Sequence, residues 1–220
     1  MAYGGRDILR DLDFDVRPGT ATVLVGRNGA GKSTVLRLIT GQDVPTEGTI
    51  EFDGEPIDER SPEVRAHLAV VMDDMDFFPD LSVVEHLDLF ARAHRVQDSA
   101  ELVDDVLEEV GLIPQSGQLP GSLSSGQRRR LALASAFVRP RRLLILDEPE
   151  QRLDTQGLEW LAERLNREKA DGLAVLFASH SNELVDAVAD RVVGVGVVPG
   201  DDQPSDGEHP DRLAKPGAES

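Results

Sequence analysis

Gly26-Arg27-Asn28-Gly29-Ala30-Gly31-Lys32-Ser33-Thr34 decides the fold, because its flanks supply a strand before it and a helix after it. The stretch has the form G-x-x-x-x-G-K-[ST] of a phosphate-binding loop. Thr20 to Gly26 reads as a buried strand. Lys32 to Thr40 reads as a helix that Gly41 stops. Glycines let such a loop turn its amides inward around phosphates, while the helix aims its positive dipole end at them. Gly26, Asn28, Gly29, Ala30, Gly31, Lys32, Ser33 and Thr34 are therefore the expected nucleotide contacts. Lys32 is placed to reach the β- and γ-phosphates, and the Ser33 hydroxyl to hold Mg²⁺.

Far downstream, Leu143-Leu144-Ile145-Leu146-Asp147-Glu148 reads as an apolar strand ending in two carboxylates. Groups at that end of a parallel strand share the sheet edge with the phosphate loop. Asp147 is expected to hold Mg²⁺ through water, and Glu148 to activate the attacking water as general base. The bland alternative is an exposed acidic turn before Pro149.

Between and beyond these motifs, strand and helix signals alternate. Gly48 to Ile57 reads as a half-exposed antiparallel ribbon, and His67 to Met72 as a short strand. Ser82 opens a helix with Glu85 three residues on, a capping box, with Leu81 placed as a staple. Ser99 to Val110 is a second amphipathic helix ended by Gly111, and residues 81–125 together read as an all-helical insertion. Helix Gln127–Val138, a strand at 142–146, a helix marked by Leu158, Leu161 and Leu165, a strand at 173–178 leading to His180, helix Asn182–Ala189 and strand Arg191–Val198 follow. Such alternation implies a mostly parallel sheet covered by helices. Residues 1–198 form one domain, and the Pro-, Gly-, Asp- and Glu-rich stretch 199–220 reads as a disordered acidic tail.

The 220 residues suffice for one domain with a sizeable core. There is no cysteine, which excludes disulfides and thiolate metal sites. No signal peptide and no apolar run of about 20 residues stands in the chain, so a cytoplasmic protein is expected. A formal net charge of −18 repels nucleic-acid phosphates and anionic lipid heads alike. Arg128, Arg129, Arg130, Arg139, Arg141 and Arg142 cluster against this trend and read as a solvated helix face near the phosphate site.

Leu123-Ser124-Ser125-Gly126-Gln127 lies between the two motifs and completes them. With it, the chain from Tyr3 to about Val198 resembles the nucleotide-binding domain of an ATP-binding-cassette ATPase. The fold implied is α/β: a P-loop NTPase three-layer sandwich with a mostly parallel sheet, a small antiparallel β subdomain and the all-helical insertion. The resemblance makes Ser124, Gly126 and Gln127 contacts to ATP held by an opposite subunit, in a homodimer or heterodimer of such domains. It places Tyr3 as the aromatic that stacks on adenine, Asp154 in the loop that couples the two sites, and His180 as the switch histidine on the γ-phosphate. Taken alone, the LSSGQ string is equally a helix cap.

The sequence departs from the family at several points. Ser125 stands for the usual Gly, and Glu150-Gln151-Arg152 for the usual small residues. Asp73 falls where a Gln usually contacts Mg²⁺ and the attacking water; its carboxylate would either bind the metal more strongly or sit too far back. The apolar strand that usually precedes the adenine aromatic is missing before Tyr3, so either the subdomain lacks it or the true start lies upstream.

The function implied is an ATP-binding and ATP-hydrolysing subunit that powers a transporter, of the export branch, through ATP-dependent dimerisation. It would sit at the inner face of the cell membrane on a separate transmembrane permease subunit, docking through Met72 to Leu81 with Phe77-Phe78-Pro79 exposed. ATP and Mg²⁺ are the cofactors, and nucleic acid is not a partner. The alternative is a soluble cassette ATPase of the iron–sulfur assembly type. A nucleic-acid ATPase is disfavoured by the acidic surface and by the single cassette.

Overall fold

The computed structural model describes residues 2–3, 6–7, 12–57, 61–73 and 75–196, with no side-chain description before residue 12 or at residue 63. Strands β1 (Ala2–Tyr3) and β2 (Arg6–Asp7) pair antiparallel. They are followed by β3 (Ala21–Val25) and helix α1 (Lys32–Ile39), then by β4 (Glu51–Phe52) and β5 (Glu55–Pro56). Helix α2 (Pro62–His67) leads into β6 (Leu68–Val71). Helices α3 (Val83–Ala93), α4 (Ser99–Glu109) and α5 (Ser125–Phe137) precede β7 (Leu143–Asp147). The described part ends with α6 (Thr155–Ala170), β8 (Ala174–Ala178), α7 (Asn182–Val188) and β9 (Arg191–Gly194).

Five strands form one parallel sheet in the order β6-β7-β8-β3-β9. Residues alternate between its faces, as the pleat requires. Leu144 and Leu146 of β7, with Val175 and Phe177 of β8, enter a core shared with α3 to α7. Leu143, Ile145, Leu176 and Ala178 enter a second core with Val35 and Leu36 of α1, flanked by Ile50, Phe52 and Ile57 of the β4–β5 ribbon. That is the three-layer sandwich, with a parallel sheet buried on both faces. The antiparallel part consists of two separate strand pairs. In the second, Asp53 and Gly54 both have positive φ, the two-residue hairpin turn that matches strand twist.

Local signals explain most boundaries. Gly41 (φ 78) and Gly111 (φ 70) sit just past the ends of α1 and α4 in the left-handed conformation. The Ser82–Glu85 capping box forms: the Ser82 amide donates to the Glu85 carboxylate at 2.7 Å, and the Glu85 amide to Ser82 Oγ at 3.4 Å. The staple does not form in apolar fashion, because the fourth helical position holds His86. Its Nδ1–H donates to the Ser82 carbonyl (2.9 Å), and its Nε2 accepts the Phe78 amide (2.9 Å).

Four expectations need correction. His67 ends a helix instead of opening the strand; α2 is a short helix with Ser61 as cap and Pro62 in its first turn. Helix α5 starts at Ser125, two residues early, because Ser124 caps it. Phe77 packs against the core, and only Phe78 of that pair is exposed, at 56 %. Most of the arginine cluster is not solvated. Arg129 is buried, Arg141 pairs with Glu168 in a half-buried setting, and Arg139 donates to the carbonyls of Arg65 and Leu68. The tail at 199–220 lies outside the described residues. Among the described residues no helix is long and apolar enough to cross a membrane.

The capping box makes the entry to α3 testable. Ser82→Ala should lower unfolding free energy by about 1 kcal/mol, the usual worth of such a cap. Urea denaturation with an unchanged slope would measure it.

Candidate functional site

The parallel order brings the carboxyl ends of β3, β8 and β7 side by side, and the site is assembled there. The phosphate loop leaves β3 at Gly26. A Cβ on Gly26 would lie 2.5 Å from the Val195 carbonyl, so the chain just past β9 leaves room for glycine alone. The loop ends at Gly31, which caps α1 in a left-handed conformation (φ 101) that other residues reach only with strain. The first-turn amides of α1 lack intrahelical acceptors and are free for an anion. Lys32 is buried, and its ammonium donates to the Gly26 carbonyl at 3.1 Å and approaches His180 Nε2 at 2.8 Å.

An open cleft of about 830 Å³ is lined on one side by Asn28, Gly29, Gly31, Lys32, Ser33 and Thr34. Glu148, Glu150, Gln151, His180 and Ser181 face them. His180 Nε2 lies 3.2 Å from Glu148 Oε1, so Lys32, His180 and Glu148 form a continuous row. Gly26 and Ala30 complete the loop behind this lining, with the Ala30 amide donating to the Arg27 carbonyl at 3.0 Å.

Asp147 ends β7 and is buried. Its pKa is raised above the ordinary value, chiefly by burial and further by the nearby Asp73 charge, against a lowering hydrogen bond from Ser33. Its Oδ1 is buried without a hydrogen-bond partner. Asp73 is set back from the cleft lining, and its Oδ1 lies 3.4 Å from Arg152 Nη1.

Glu148 has φ 45, a left-handed conformation that costs a non-glycine residue about 1–2 kcal/mol. Arg129 holds it there. This side chain is 2 % exposed, and its guanidinium donates to the carbonyls of Met72 (3.1 Å), Asp147 (2.5 Å), Glu148 (2.7 Å) and Pro149 (3.2 Å). Burial lowers its pKa; Asp73 and then Glu150 partly offset this. Sequence reasoning missed Arg129 inside an Arg-Arg-Arg run. The signal was its place on the helix face of Ala132, Leu133 and Ala136, at spacings of three, four and seven.

Ser124, Gly126, Gln127 and Asp154 do not line this cleft. Ser124 and Gln127 cap each other at the start of α5 (2.9 and 3.2 Å). A Cβ on Gly126 would lie 2.9 Å from the Arg152 carbonyl, so the loop before α6 packs on the start of α5. Asp154 caps α6 by accepting the Gly157 amide at 2.8 Å, and also accepts from Arg130 at 3.0 Å. The Gly157 amide, with help from Arg130, holds its carboxyl below the usual range. The side chain of Tyr3 lies outside the described residues.

A family model described as "ABC transporter" matches residues 9–151. Nod factor export ATP-binding protein I of Cupriavidus metallidurans is 38 % identical over 82 % of this chain, which spans 60 % of that protein's length. SkfA peptide export ATP-binding protein SkfE of Bacillus subtilis is 36 % identical over 87 % of the chain and 80 % of its own length. Aliphatic sulfonates import ATP-binding protein SsuB 3 of Pseudomonas savastanoi is 34 % identical, with 87 % and 68 % covered. A solved structure titled as the ATP binding subunit of an ABC transporter superposes with a TM-score of 0.81 at 29 % identity, covering 88 % of this chain and 81 % of its own.

The environment of Asp147 sets a pH dependence. A carboxyl whose folded pKa is raised stabilises the fold fully only below its unfolded pKa, and that contribution is lost as pH rises through the folded value. Asp147→Asn should therefore raise the melting temperature of the metal-free protein at neutral pH. The gain should shrink on acidification and vanish near about pH 4, the ordinary Asp range. Thermal melts in chelator across that range measure it.

Proposed function

The chain belongs to the ABC transporter family, and on that membership we propose that it is the ATP-binding and ATP-hydrolysing subunit of a membrane transporter working in export. The observation that carries the reading is the row Lys32–His180–Glu148, which runs from the phosphate loop to the turn after β7. Two of the relatives named above are export proteins and one is an import protein, which supports transport first and export second.

Lys32 and the α1 amides bind the phosphates and draw charge from the β–γ bridge. Glu148 Oε1 takes the proton of the attacking water as general base, while the Gln151 amide holds its other oxygen in place. His180 stands between the two and orients the γ-phosphate. The residues fit Mg²⁺: Asp147 presents a buried oxygen without a partner, Ser33 bonds the same carboxylate, and burial penalises that charge without a cation. Ser33 and Asp147 would hold the ion, with Asp73 adding negative charge from behind. Mg²⁺, when bound, would neutralise the β- and γ-phosphate oxygens.

The start of α5 would close on ATP held by a second copy, or by a homologous partner, through Ser124, Gly126 and Gln127, with Asp154 joining the two sites. Tyr3 would stack on adenine. The exposed Phe78 edge would dock a separate permease subunit, which would bring the protein to the inner face of the membrane.

Glu148→Gln should keep ATP binding and lower turnover about a hundredfold or more, because only the base is lost. The variant should elute as an ATP-dependent dimer in gel filtration. A monomer that turns over ATP at the native rate would overturn the reading. Asp73→Gln should weaken apparent Mg²⁺ affinity about tenfold, a usual size of coupling between neighbouring sites. Mg²⁺ titration against ATPase rate would show it, and superimposable curves would remove Asp73 from the metal's surroundings.

A further inference from the structure

Glu150 brings a carboxylate into a cleft read as binding a polyanion, where its charge opposes the ligand. Its contacts give a reason for that placement. Oε1 accepts three hydrogen bonds from one short segment: Ser179 Oγ at 2.5 Å, the His180 amide at 3.1 Å and the Ser181 amide at 3.3 Å. These residues join β8 to α7 and carry the His180 ring.

Capping α7 does not account for the arrangement. Ser181 caps that helix with its own hydroxyl, which accepts the Leu184 amide at 3.2 Å. The sheet holds only the start of the segment: the Ser179 amide donates to the Leu24 carbonyl of β3 at 3.4 Å, and the last tie between the β7 turn and β8 is the Glu148 amide to the Ala178 carbonyl. Glu150 continues that tie past the end of the strand. It starts from the same turn that carries Glu148, so the backbones of Glu148 and His180 are fixed to each other within a few bonds. The ring then reaches both Glu148 Oε1 and Lys32 Nζ.

We propose that Glu150 is a positioning residue for His180, acting on the reaction only through that ring. The proposal rests on the ATPase reading given above. It separates two functions of one carboxylate: the three-fold acceptor, which aligns His180, and the negative charge, which weakens nucleotide binding. An amide in its place keeps the acceptor and removes the charge.

The test is steady-state ATP hydrolysis with Mg²⁺ by wild type, E150Q, E150A, H180A and E150A/H180A, with ADP affinity and thermal melts for each. E150A should lower kcat roughly tenfold to a hundredfold, the usual cost of a small misplacement in a site, and, having lost the same charge, bind ADP at least as tightly as wild type. E150Q should recover most of that kcat and show a lower KM for ATP. The double variant should be no slower than H180A, because two changes that act through one group do not add. Wild-type kcat in E150A, or losses that multiply in full with H180A, would overturn the proposal. If E150A melts below the assay temperature, E150Q decides: a kcat as low as that of H180A, or an unchanged KM, would refute it. A wild-type protein without ATP turnover would refute the functional reading, and this inference with it.

Discussion

The guanidinium of Arg129 gathers four backbone carbonyls, one just past β6 and three running from the last residue of β7 into the turn after it. A buried charge held by carbonyls alone is unusual, because neutral dipoles return less than an ion pair for the water given up. Its long-range balance comes from Asp73 and Glu150, whose charges partly offset the desolvation of Arg129. The arrangement forces three successive carbonyls of the turn to converge. That convergence puts Glu148 in its left-handed conformation and points its side chain into the cleft. Because Arg129 rises from α5, the helix that begins at the Ser124–Gln127 cap is joined to the turn that carries Glu148 in its own chain.

Much of the fold was legible because its signals are local. Gly41, Gly111, the Ser82–Glu85 pair and the apolar runs each report on neighbours within four residues. The phosphate loop and the Asp147–Glu148 strand end were legible for the same reason. What escaped has two physical sources. Helix α2 is under two turns long, too short for a period to show, although Ser61-Pro62 marked its start. The bonds of Arg129, Glu150 and Arg152 depend on which strands lie side by side, and Glu150 finds its donors about thirty residues away. An Arg run looks solvated until the helix face it occupies is known. The LSSGQ motif shows the converse: within one chain it does what a cap does.

Spatial order in the sheet, unlike chain order, puts β8 between β3 and β7. Neighbouring strands lie about 4.8 Å apart, so a side chain from the middle strand end can touch groups from both sides. His180 stands two residues past the end of that middle strand, and its Nε2 contacts both the Lys32 ammonium and the Glu148 carboxylate. Cation, imidazole and carboxylate therefore follow the strand sequence across the sheet edge.

The acidic surface has a kinetic consequence for the cleft. With a formal net charge of −18, the protein's far field repels any polyphosphate that approaches, while Lys32 and the α1 amides attract it only at contact range. Encounter should then be limited by climbing a repulsive barrier, with capture beginning inside about a Debye length. Added salt, which slows most nucleotide captures by basic clefts, would speed this one. The same screening would leave the dissociation step, governed by short contacts within the loop, almost untouched.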